Sequence, residues 1–319
     1  GALVSVSSSE TWDGSNPHSG DGVSVSGSGT SGDPYVYVIP DGMSFTSAGS
    51  IHNGGDQYVE FDFSSSSAGL TMDSGGYFDC EGSSRWSDPG AYTLTMGTNT
   101  ITGSGDFNNN DDSKDSVDVT ITGSGNVTLD DLDLSADDCE PGTVDIELSG
   151  EGDLSITGDI YTNDSSSGGG DGANVTLEAR SVTVTGNHIN TSDNRSSKKS
   201  GTVVISARNT DGDETIDNVI TISADVDSNG DGTDGDQTLT AVKVDTTGAT
   251  LDDGGADCNV YAGVAQCGYS EGDLYTDCGG SCPSATHNVS WACGGSIDIS
   301  GTVYTNEAKS GNIGSSKTV

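Results

Sequence analysis

The feature that most constrains the fold is a short phrase that recurs along the chain. It consists of Ile or Val, then Thr or Ser, then Gly or Ala, with a second apolar residue a few positions later. The copies begin at Ile101, Ile121, Ile156, Val184, Ile222 and Ile299. Successive copies lie roughly 20 to 40 residues apart, with one longer gap near the C-terminus, which is the spacing of a repeat unit. An irregular β repeat of this size predicts the stacked coils of a solenoid.

The residues between these phrases alternate between apolar and polar. From Val144 to Asp227, short β-branched segments are separated by Gly, Asp, Ser and Asn, and this period of two indicates strands and turns. Only 30% of the residues are hydrophobic, which would also suit a disordered chain. The apolar residues are nevertheless grouped in alternating runs, and no segment shows a helical period. We therefore predict an all-β fold, a parallel β-solenoid with long polar loops and a thin core.

The aromatic residues divide the chain unevenly. Residues 1–96 hold 11 of the 18 aromatic residues, which predicts a wider N-terminal part of the β body or a cap on it. The alternative is a sugar-binding aromatic platform, in which Trp12 and Trp86 would stack against a ligand. The predicted divisions are an N-terminal β region over 1–96, solenoid coils over 97–257, a disulfide-stapled insertion over 258–293, and a last coil with a docking edge over 294–319.

Seven cysteines indicate an oxidising environment outside the cell and predict disulfides. They are Cys80, Cys139, Cys258, Cys267, Cys278, Cys282 and Cys293. Five of them crowd into 258–293, and Cys80 is expected to pair with Cys139 if their coils are neighbours. Because seven is odd, at least one thiol stays free or bonds another subunit. A zinc site is disfavoured because a second closely spaced cysteine pair is missing. Its ligands would be Cys278, Cys282, His287 and Cys293.

The formal net charge of −40 comes from 50 acidic and 10 basic residues, and 40 of the acidic residues are Asp. Such a surface repels nucleic acid and anionic lipid and attracts cations. No apolar run is long enough to cross a membrane. We therefore expect neither a nucleic-acid partner nor membrane insertion. Two interpretations of the charge remain, a solvated acidic surface in a cation-rich medium and bound calcium.

The segment DSNGDG resembles the first half of a calcium loop, because oxygen-bearing residues alternate and a Gly permits the sharp turn. The twelfth position is Thr238 where an EF-hand has Glu, and no helices flank the segment, so an EF-hand is not expected. The calcium ligands would be Asp227, Asn229, Asp231, Asp234 and Asp236. An acidic β-turn without metal is the alternative. No other cofactor is expected.

Six Asn-x-Ser/Thr sequences are candidate glycosylation sites of a secreted protein. They are Asn126, Asn163, Asn174, Asn190, Asn194 and Asn288. The chain already resembles a strand at Ala2–Val6 and shows no secretion signal, as expected of a mature protein whose signal has been removed. With the cysteines, these features predict an extracellular, cell-surface location.

Enzyme chemistry has one candidate motif. Asn209–Gly212 matches in letters the NTDG motif of polygalacturonases, which are β-helix enzymes that act through paired carboxylates. The second acid would be one of Asp225, Asp227, Asp252 and Asp253. The Gly-His-Gly and Arg-x-Lys sequences of that family are missing. We therefore expect the protein not to be an enzyme.

The segments GDLSITGDIYTND, NVTLEARSVTVTG and GSIDISGTVYTNE resemble the filamentous-haemagglutinin-like surface proteins of prokaryotes. The resemblance implies a right-handed parallel β-helix exposed at the cell surface. We expect a structural subunit of an extracellular polymer, such as a filament, sheath or surface layer, whose partner is another copy of itself. The alternatives are a surface adhesin or glycan-binding β-helix, with carbohydrate as partner, and a polysaccharide-degrading β-helix enzyme.

Overall fold

The structure is a computed structural model that describes residues 2–166, 169–210, 217–246, 249–254 and 256. It also describes the backbone of six strands between residues 258 and 305. The described residues form strands, turns and a single 3₁₀ turn at Ser19–Asp21, without an α-helix. The predicted all-β, parallel β-solenoid is confirmed. The cysteine-rich insertion lies largely outside the described residues, and the handedness of the coil stays a prediction.

Each coil of the solenoid passes through three parallel sheets in the order A, B, C. Sheet A contains β1 (Val4–Val6), β5 (Met43–Phe45), β8 (Leu70–Met72), β11 (Ile101–Gly103), β14 (Val127–Leu129), β17 (Leu154–Ile156), β20 (Val182–Val184), β23 (Val219–Ile222) and β26 (Lys243–Asp245). Sheet B contains β2 (Ser9–Thr11), β6 (Ser50–His52), β9 (Tyr77–Asp79), β12 (Asp106–Asn108), β15 (Leu132–Asp133), β18 (Ile160–Tyr161), β21 (His188–Asn190), β24 (Asp225–Asp227) and β27 (Leu251–Asp252).

Sheet C is the longest of the three. It contains β3 (Ser24–Ser26), β4 (Tyr35–Val38), β7 (Tyr58–Asp62), β10 (Ala91–Thr95), β13 (Asp118–Gly123), β16 (Val144–Leu148), β19 (Val175–Ala179), β22 (Val203–Ala207), β25 (Gln237–Thr240), β28 (Cys258–Ala262) and β31 (Ala285–Val289). The pairing of β3 with β4 is antiparallel. Two smaller parallel pairs join β29 (Ser270–Glu271) to β32 (Asp298–Ile299) and β30 (Leu274–Thr276) to β33 (Val303–Thr305).

The core consists of columns of like residues, one from each coil. In sheet C the register aligns inward-facing, buried side chains of successive coils: Tyr37, Phe61, Leu94, Ile121 and Ile146. Alternation along each strand sends the neighbouring side chains outward. Burying one such apolar side chain contributes roughly 1.5–3 kcal/mol. A thin core is therefore sufficient to stabilise the solenoid, because every coil adds its own inward residues to the column.

The aromatic residues of the N-terminal coils pack inside the same three sheets. The Phe78 ring stacks on Phe107 with centroids 4.6 Å apart and contacts Phe45 at 5.0 Å and Tyr92 at 5.4 Å. All four side chains are fully buried. Aromatic pairs at such separations contribute about 0.5–1.5 kcal/mol beyond the area they bury. The aromatic residues therefore fill the interior at this end of the solenoid.

Trp12 belongs to this core, as the preferred interpretation of an aromatic β body expects, and the alternative in which it stacks against a ligand does not hold. Its side chain is fully buried and lies 4.8 Å from Tyr37 and 5.5 Å from His18, centroid to centroid. The Tyr37 hydroxyl donates a hydrogen bond to the Ser15 carbonyl at 2.5 Å and accepts one from the Gly14 N–H at 2.9 Å. The segment after Trp12 thus covers the aromatic core, which leaves Trp12 no face for a ligand.

Most long loops leave the solenoid at the corner between sheets B and C, where a repeated hydrogen-bonded clasp closes them. In three successive coils a corner hydroxyl donates to the carbonyl of the returning residue at 2.6 Å, pairing Thr162 with Ala173, Thr191 with Gly201, and Ser228 with Gly235. The N–H of each returning residue donates back to the carbonyl of the corner residue at 2.8–2.9 Å. Loops of different length therefore emerge without leaving buried backbone groups unpaired.

Candidate functional site

The outer face of sheet B carries acidic residues in successive coils, including the close group of Asp106, Asp130 and Asp131. From β6 onward, each of its short strands points one apolar residue inward, such as Phe107, Leu132 or Ile160, and the flanking residues point outward. Aspartates recur among these outward flanking residues from coil to coil, at Asp79, Asp106, Asp131, Asp133, Asp159, Asp225, Asp227 and Asp252. The strand register therefore converts scattered Asp residues into rows that follow the solenoid axis.

These aspartates form a hydrogen-bonded ladder between coils. Asp106 Oδ1 accepts the Asp131 N–H at 2.8 Å, and Asp131 Oδ1 accepts the Asp159 N–H at 2.8 Å. Asp159 Oδ1 in turn accepts the Asn187 N–H at 2.6 Å. Similar bonds join Asp118 to Thr143, Asn126 to Asp153, Asn174 to Thr202 and Asp225 to Thr250.

The ladder offers a physical reason for the excess of Asp over Glu. Neighbouring strands lie about 4.8 Å apart, and a side chain with one methylene places its carboxylate beside the backbone N–H of the next coil. A Glu side chain, with one more methylene, would overshoot that N–H and lose more rotamer entropy on ordering. The acidic composition is therefore partly a structural requirement of the coil.

Three carboxylates of this face lie close together. The side chains of Asp106, Asp130 and Asp131 place one oxygen each within 4.8 Å of the others. Burial raises the pKa of Asp106 to about 6, and the charges of Asp130 and Asp131 add to the rise. The pKa of Asp130 is also raised, first by burial and then by Asp131. Like charges gathered in this way favour the binding of a proton or a cation.

A groove of about 280 Å³ runs beside the three carboxylates. Its lining residues are Asp106, Asn108, Asp131, Asp133, Asp159 and Tyr161. Carboxylate and amide oxygens are the ligands that calcium prefers, so Asp106, Asp130 and Asp131 are the residues that could hold a divalent cation here. The sequence prediction missed this cluster. The sequence feature that could have predicted it is the spacing of these aspartates, which matches the length of one coil. Asp131 follows Asp106 by 25 residues, and Asp159 follows Asp131 by 28.

The predicted calcium loop lies at the far end of the same face. Asp227 lies in β24, in register with Asn190 and Asp252 of the adjacent coils. Burial raises its pKa, and Asp252 and Asp234 contribute. Asp227 Oδ1 accepts the Asn229 N–H at 3.0 Å.

The remaining residues of this loop point in several directions. Asp234 Oδ1 accepts the Gly230 N–H at 2.9 Å, the Asp231 backbone bonds Asp193, and Asp236 is exposed. Among the described residues, the one close group of three acidic side chains is that of Asp106, Asp130 and Asp131. Calcium at Asp227–Asp236 stays a prediction.

A second acidic stack is buried within the loops of the B–C corner. Asp164 and Asp193 form a parallel backbone bridge between adjacent coils, and both are fully buried. One carboxylate oxygen of each has no hydrogen-bond partner among the described residues. Burial raises the pKa of Asp164 to about 6, and the charges of Asp193 and Asp138 add to it. Because burial disfavours the ionised form of a carboxyl group, we expect ionised Asp164 to destabilise the folded loops at neutral pH.

The predicted pairing of Cys80 with Cys139 is not present. Both are free, buried cysteines. Cys80 lies at the corner that follows β9, and its N–H donates to the carbonyl of Asn108 in the next coil. Cys139 lies in a loop two coils along, where its carbonyl accepts the Gly170 N–H. The side chains of the other five cysteines lie outside the described residues.

The candidate glycosylation sites differ in exposure. Asn126, Asn174 and Asn194 are exposed, whereas Asn163 and Asn190 are partly buried. The side chain of Asn288 lies outside the described residues. The amide oxygens of Asn126 and Asn174 hold the next coil through the ladder.

The NTDG motif is described only in its first half, because Asp211 and Gly212 lie outside the described residues. Asn209 follows β22 of sheet C, and its Oδ1 accepts a bond from Asn218 Nδ2 at 3.2 Å. The proposed second acids Asp225, Asp227 and Asp252 belong to strands of sheet B, and Asp253 is buried directly after β27.

No protein family, no curated protein and no solved structure matches this chain. Among the described residues, no helix has the length and apolar character needed to cross a membrane. The class defined by the fold is the parallel β-solenoid, here with a laddered acidic face. The similarity to filamentous-haemagglutinin-like proteins stays a prediction.

Proposed function

We propose that the protein is a structural subunit of an extracellular, cell-surface polymer such as a filament, sheath or surface layer. The observation that carries this proposal is the ladder along the solenoid axis, in which Asp106, Asp131 and Asp159 each accept a backbone N–H of the following coil. A coil built in this way offers backbone groups and carboxylate acceptors to whatever coil follows it. That coil can belong to the same chain or to another copy.

The edge of sheet A supports assembly through strands. The Val4 N–H donates to Gly42 at 3.1 Å and the Val6 carbonyl accepts from Thr46 at 3.0 Å, both toward the β5 side. Because backbone groups alternate sides along a strand, the N–H and carbonyl of Ser5 face away from β5. Leu3 beside them is 52% exposed. The outward N–H and carbonyl of Ser5 can pair with a strand of another copy, and head-to-tail pairing of unlike edges propagates into a filament or ring.

Cations should control this assembly. A net charge of −40 makes copies repel one another in dilute buffer, and salt screens such repulsion over about 10 Å at 0.1 M. A divalent cation on the acidic face would also neutralise Asp106 and its neighbours directly. The proposal therefore expects polymers that grow with calcium or salt and that shorten on chelation.

The test is sedimentation velocity and negative-stain microscopy of the chain at high concentration, with calcium and salt and with a chelator. Ser5→Pro removes the outward N–H of β1 and should stop growth. Ser5→Ala keeps that N–H and is the matched control, which should polymerise like the unmodified chain. A chain that stays monomeric under every condition contradicts the proposal and leaves a surface adhesin in its place.

A further inference from the structure

A second groove, of about 210 Å³, lies among the loops of the B–C corner, away from the acidic face of sheet B. Its lining residues are Ser87, Asp88, Pro89, Gly90, Ser116, Asp118, Glu140 and Pro141. These residues come from three consecutive coils, so the stacking of the coils forms the groove. Two prolines supply apolar surface, and a volume of this size is of the order of one sugar ring.

Ser116 supplies an unsatisfied hydroxyl to this groove. The residue is 2% exposed, and its Oγ has no hydrogen-bond partner among the described residues. A buried hydroxyl without a partner destabilises a protein by about 1–3 kcal/mol. A ligand in the groove that bonds this hydroxyl would remove that penalty.

The rim of the groove is made of hydrogen-bond acceptors. Asp88, Asp118 and Glu140 are exposed. Asp88 Oδ1 accepts the Tyr58 hydroxyl at 2.7 Å, and Asp118 Oδ1 accepts the Thr143 N–H at 2.8 Å. No described residue bonds the Oδ2 atom of either aspartate. Ionised carboxylates only accept hydrogen bonds, so the ligand must be rich in donors, and a uronate, sulfate or phosphate would be repelled.

Trp86 directly precedes the groove residue Ser87 and is held outward. Its side chain is 55% exposed, and its backbone adopts φ +55°. A bulky residue rarely adopts this left-handed conformation, and strain of this kind is typical of binding and catalytic sites.

The neighbours of Trp86 enforce the strained conformation. The Ser87 N–H donates to Asp115 Oδ2 at 2.7 Å, and the Glu140 N–H donates to Asp115 Oδ1 at 2.9 Å. Asp115 is fully buried, so one carboxylate ties the Trp86 loop to the far wall of the groove. The Arg85 Nε–H bonds the Ser113 carbonyl at 3.2 Å on the other side of the tryptophan.

We propose that this groove binds a non-acidic saccharide unit of a glycan, a neutral or amino sugar. The sugar hydroxyl or ammonium groups would donate to Asp88, Asp118 and Glu140, and a sugar oxygen would accept from Ser116 Oγ once the side chain turns that hydroxyl toward the groove. The apolar face of the ring would pack on Pro89 and Pro141, and its outer edge would reach the exposed Trp86, since apolar surfaces combined with a few polar groups are typical of small-ligand sites. This site goes beyond the structural role and does not depend on assembly.

The experiment is isothermal titration of the full chain with neutral oligosaccharides and with amino oligosaccharides, using oligouronides of the same length as the comparison. Neutral or amino oligosaccharides should bind more tightly than about 1 mM, and oligouronides should not. Ser116→Ala should weaken binding by about tenfold, as expected for a central contact, and Trp86→Ala should weaken it less, because Trp86 lies next to the lining residues and not among them. Ser84→Ala, an exposed serine of the same loop, is the matched control and should bind like the unmodified chain.

Stability separates a binding role from a structural one. Ser116→Ala removes an unpaired hydroxyl, so without ligand it should unfold at the same or higher urea concentration while still losing affinity. The proposal is overturned if neither neutral nor amino oligosaccharides bind, if oligouronides bind equally well, or if both variants keep the unmodified affinity.

Discussion

Asp106→Asn tests whether the acidic face of sheet B holds unfavourable charge that protons or cations relieve. The Asn side chain keeps an oxygen that can accept the Asp131 N–H, which lies 2.8 Å from Asp106 Oδ1. The ladder bond therefore survives the substitution. What disappears is one negative charge beside Asp130 and Asp131.

The size of the effect follows from the pKa. In the folded protein the pKa of Asp106 is about 6, whereas an ordinary aspartate has 3.8. One pKa unit corresponds to about 1.4 kcal/mol, so ionised Asp106 destabilises the folded state by at most about 3 kcal/mol at neutral pH. Asp106 is only partly buried and solvent screens its charge, so we expect a gain of about 1–2 kcal/mol on substitution.

The pH dependence has a definite sign. Between about pH 4 and pH 6 the folded protein binds the Asp106 proton more tightly than the unfolded chain does, so wild-type stability falls as the pH rises through this window. The Asn side chain does not titrate, so the stability of the variant lacks this contribution to the pH dependence. The variant should be more stable than the wild type at pH 7.5, and the difference should vanish near pH 4.

Urea unfolding followed by circular dichroism at pH 7.5 and pH 4, with and without calcium, measures these differences. Asp112→Asn, which removes an exposed aspartate outside the cluster, is the matched control and should change little. If the cluster binds calcium, the ion should stabilise the wild type and the control more than Asp106→Asn. A loss of stability at pH 7.5, or an equal gain at both pH values, would refute the electrostatic reasoning.

Two further predictions concern the B–C corner. Thr191→Val removes the buried hydroxyl bond to the Gly201 carbonyl, 2.6 Å long, and should destabilise the protein by about 1–3 kcal/mol in urea unfolding. Thr183→Val, on the outward side of β20, is its control, and equal effects would contradict the clasp. Asp164→Asn should stabilise the protein at pH 7.5 but not near pH 4, because burial raises the pKa of Asp164 to about 6. Destabilisation at both pH values, again by urea unfolding, would show that the loop requires the carboxylate.

The fold could be predicted because its determinants are local. Alternation along Val175–Ala179 or Val203–Ala207 decides which side chains face inward, and a two-residue period leaves no competing helical interpretation. The repeated phrase then implies that coils stack, since one coil cannot bury its own apolar face. The alternation and the repeated phrase both remain visible although the loops vary in length. The loops leave the solenoid at its corners, so they do not interrupt the pattern of the strands.

The sites required the register between coils, which the sequence does not contain. Trp12 and Trp86 both lie near Asp and Gly residues in the sequence, and their sequence surroundings do not distinguish them. In the structure Trp12 is fully buried, whereas Trp86 is 55% exposed. The calcium prediction relied on ligands close in sequence. The carboxylates that gather instead include Asp106 and Asp131, which are 25 residues apart.

The sequence by itself therefore determined the β-solenoid, its thin aliphatic core and its acidic surface. Only the tertiary structure decided which aspartates meet, that Cys80 and Cys139 are free thiols, and that Ser116 is left without a partner beside Trp86. The physical reason is that the direction of a side chain depends on its own strand. Its neighbours depend on how many loop residues separate one coil from the next, and that length varies along the chain.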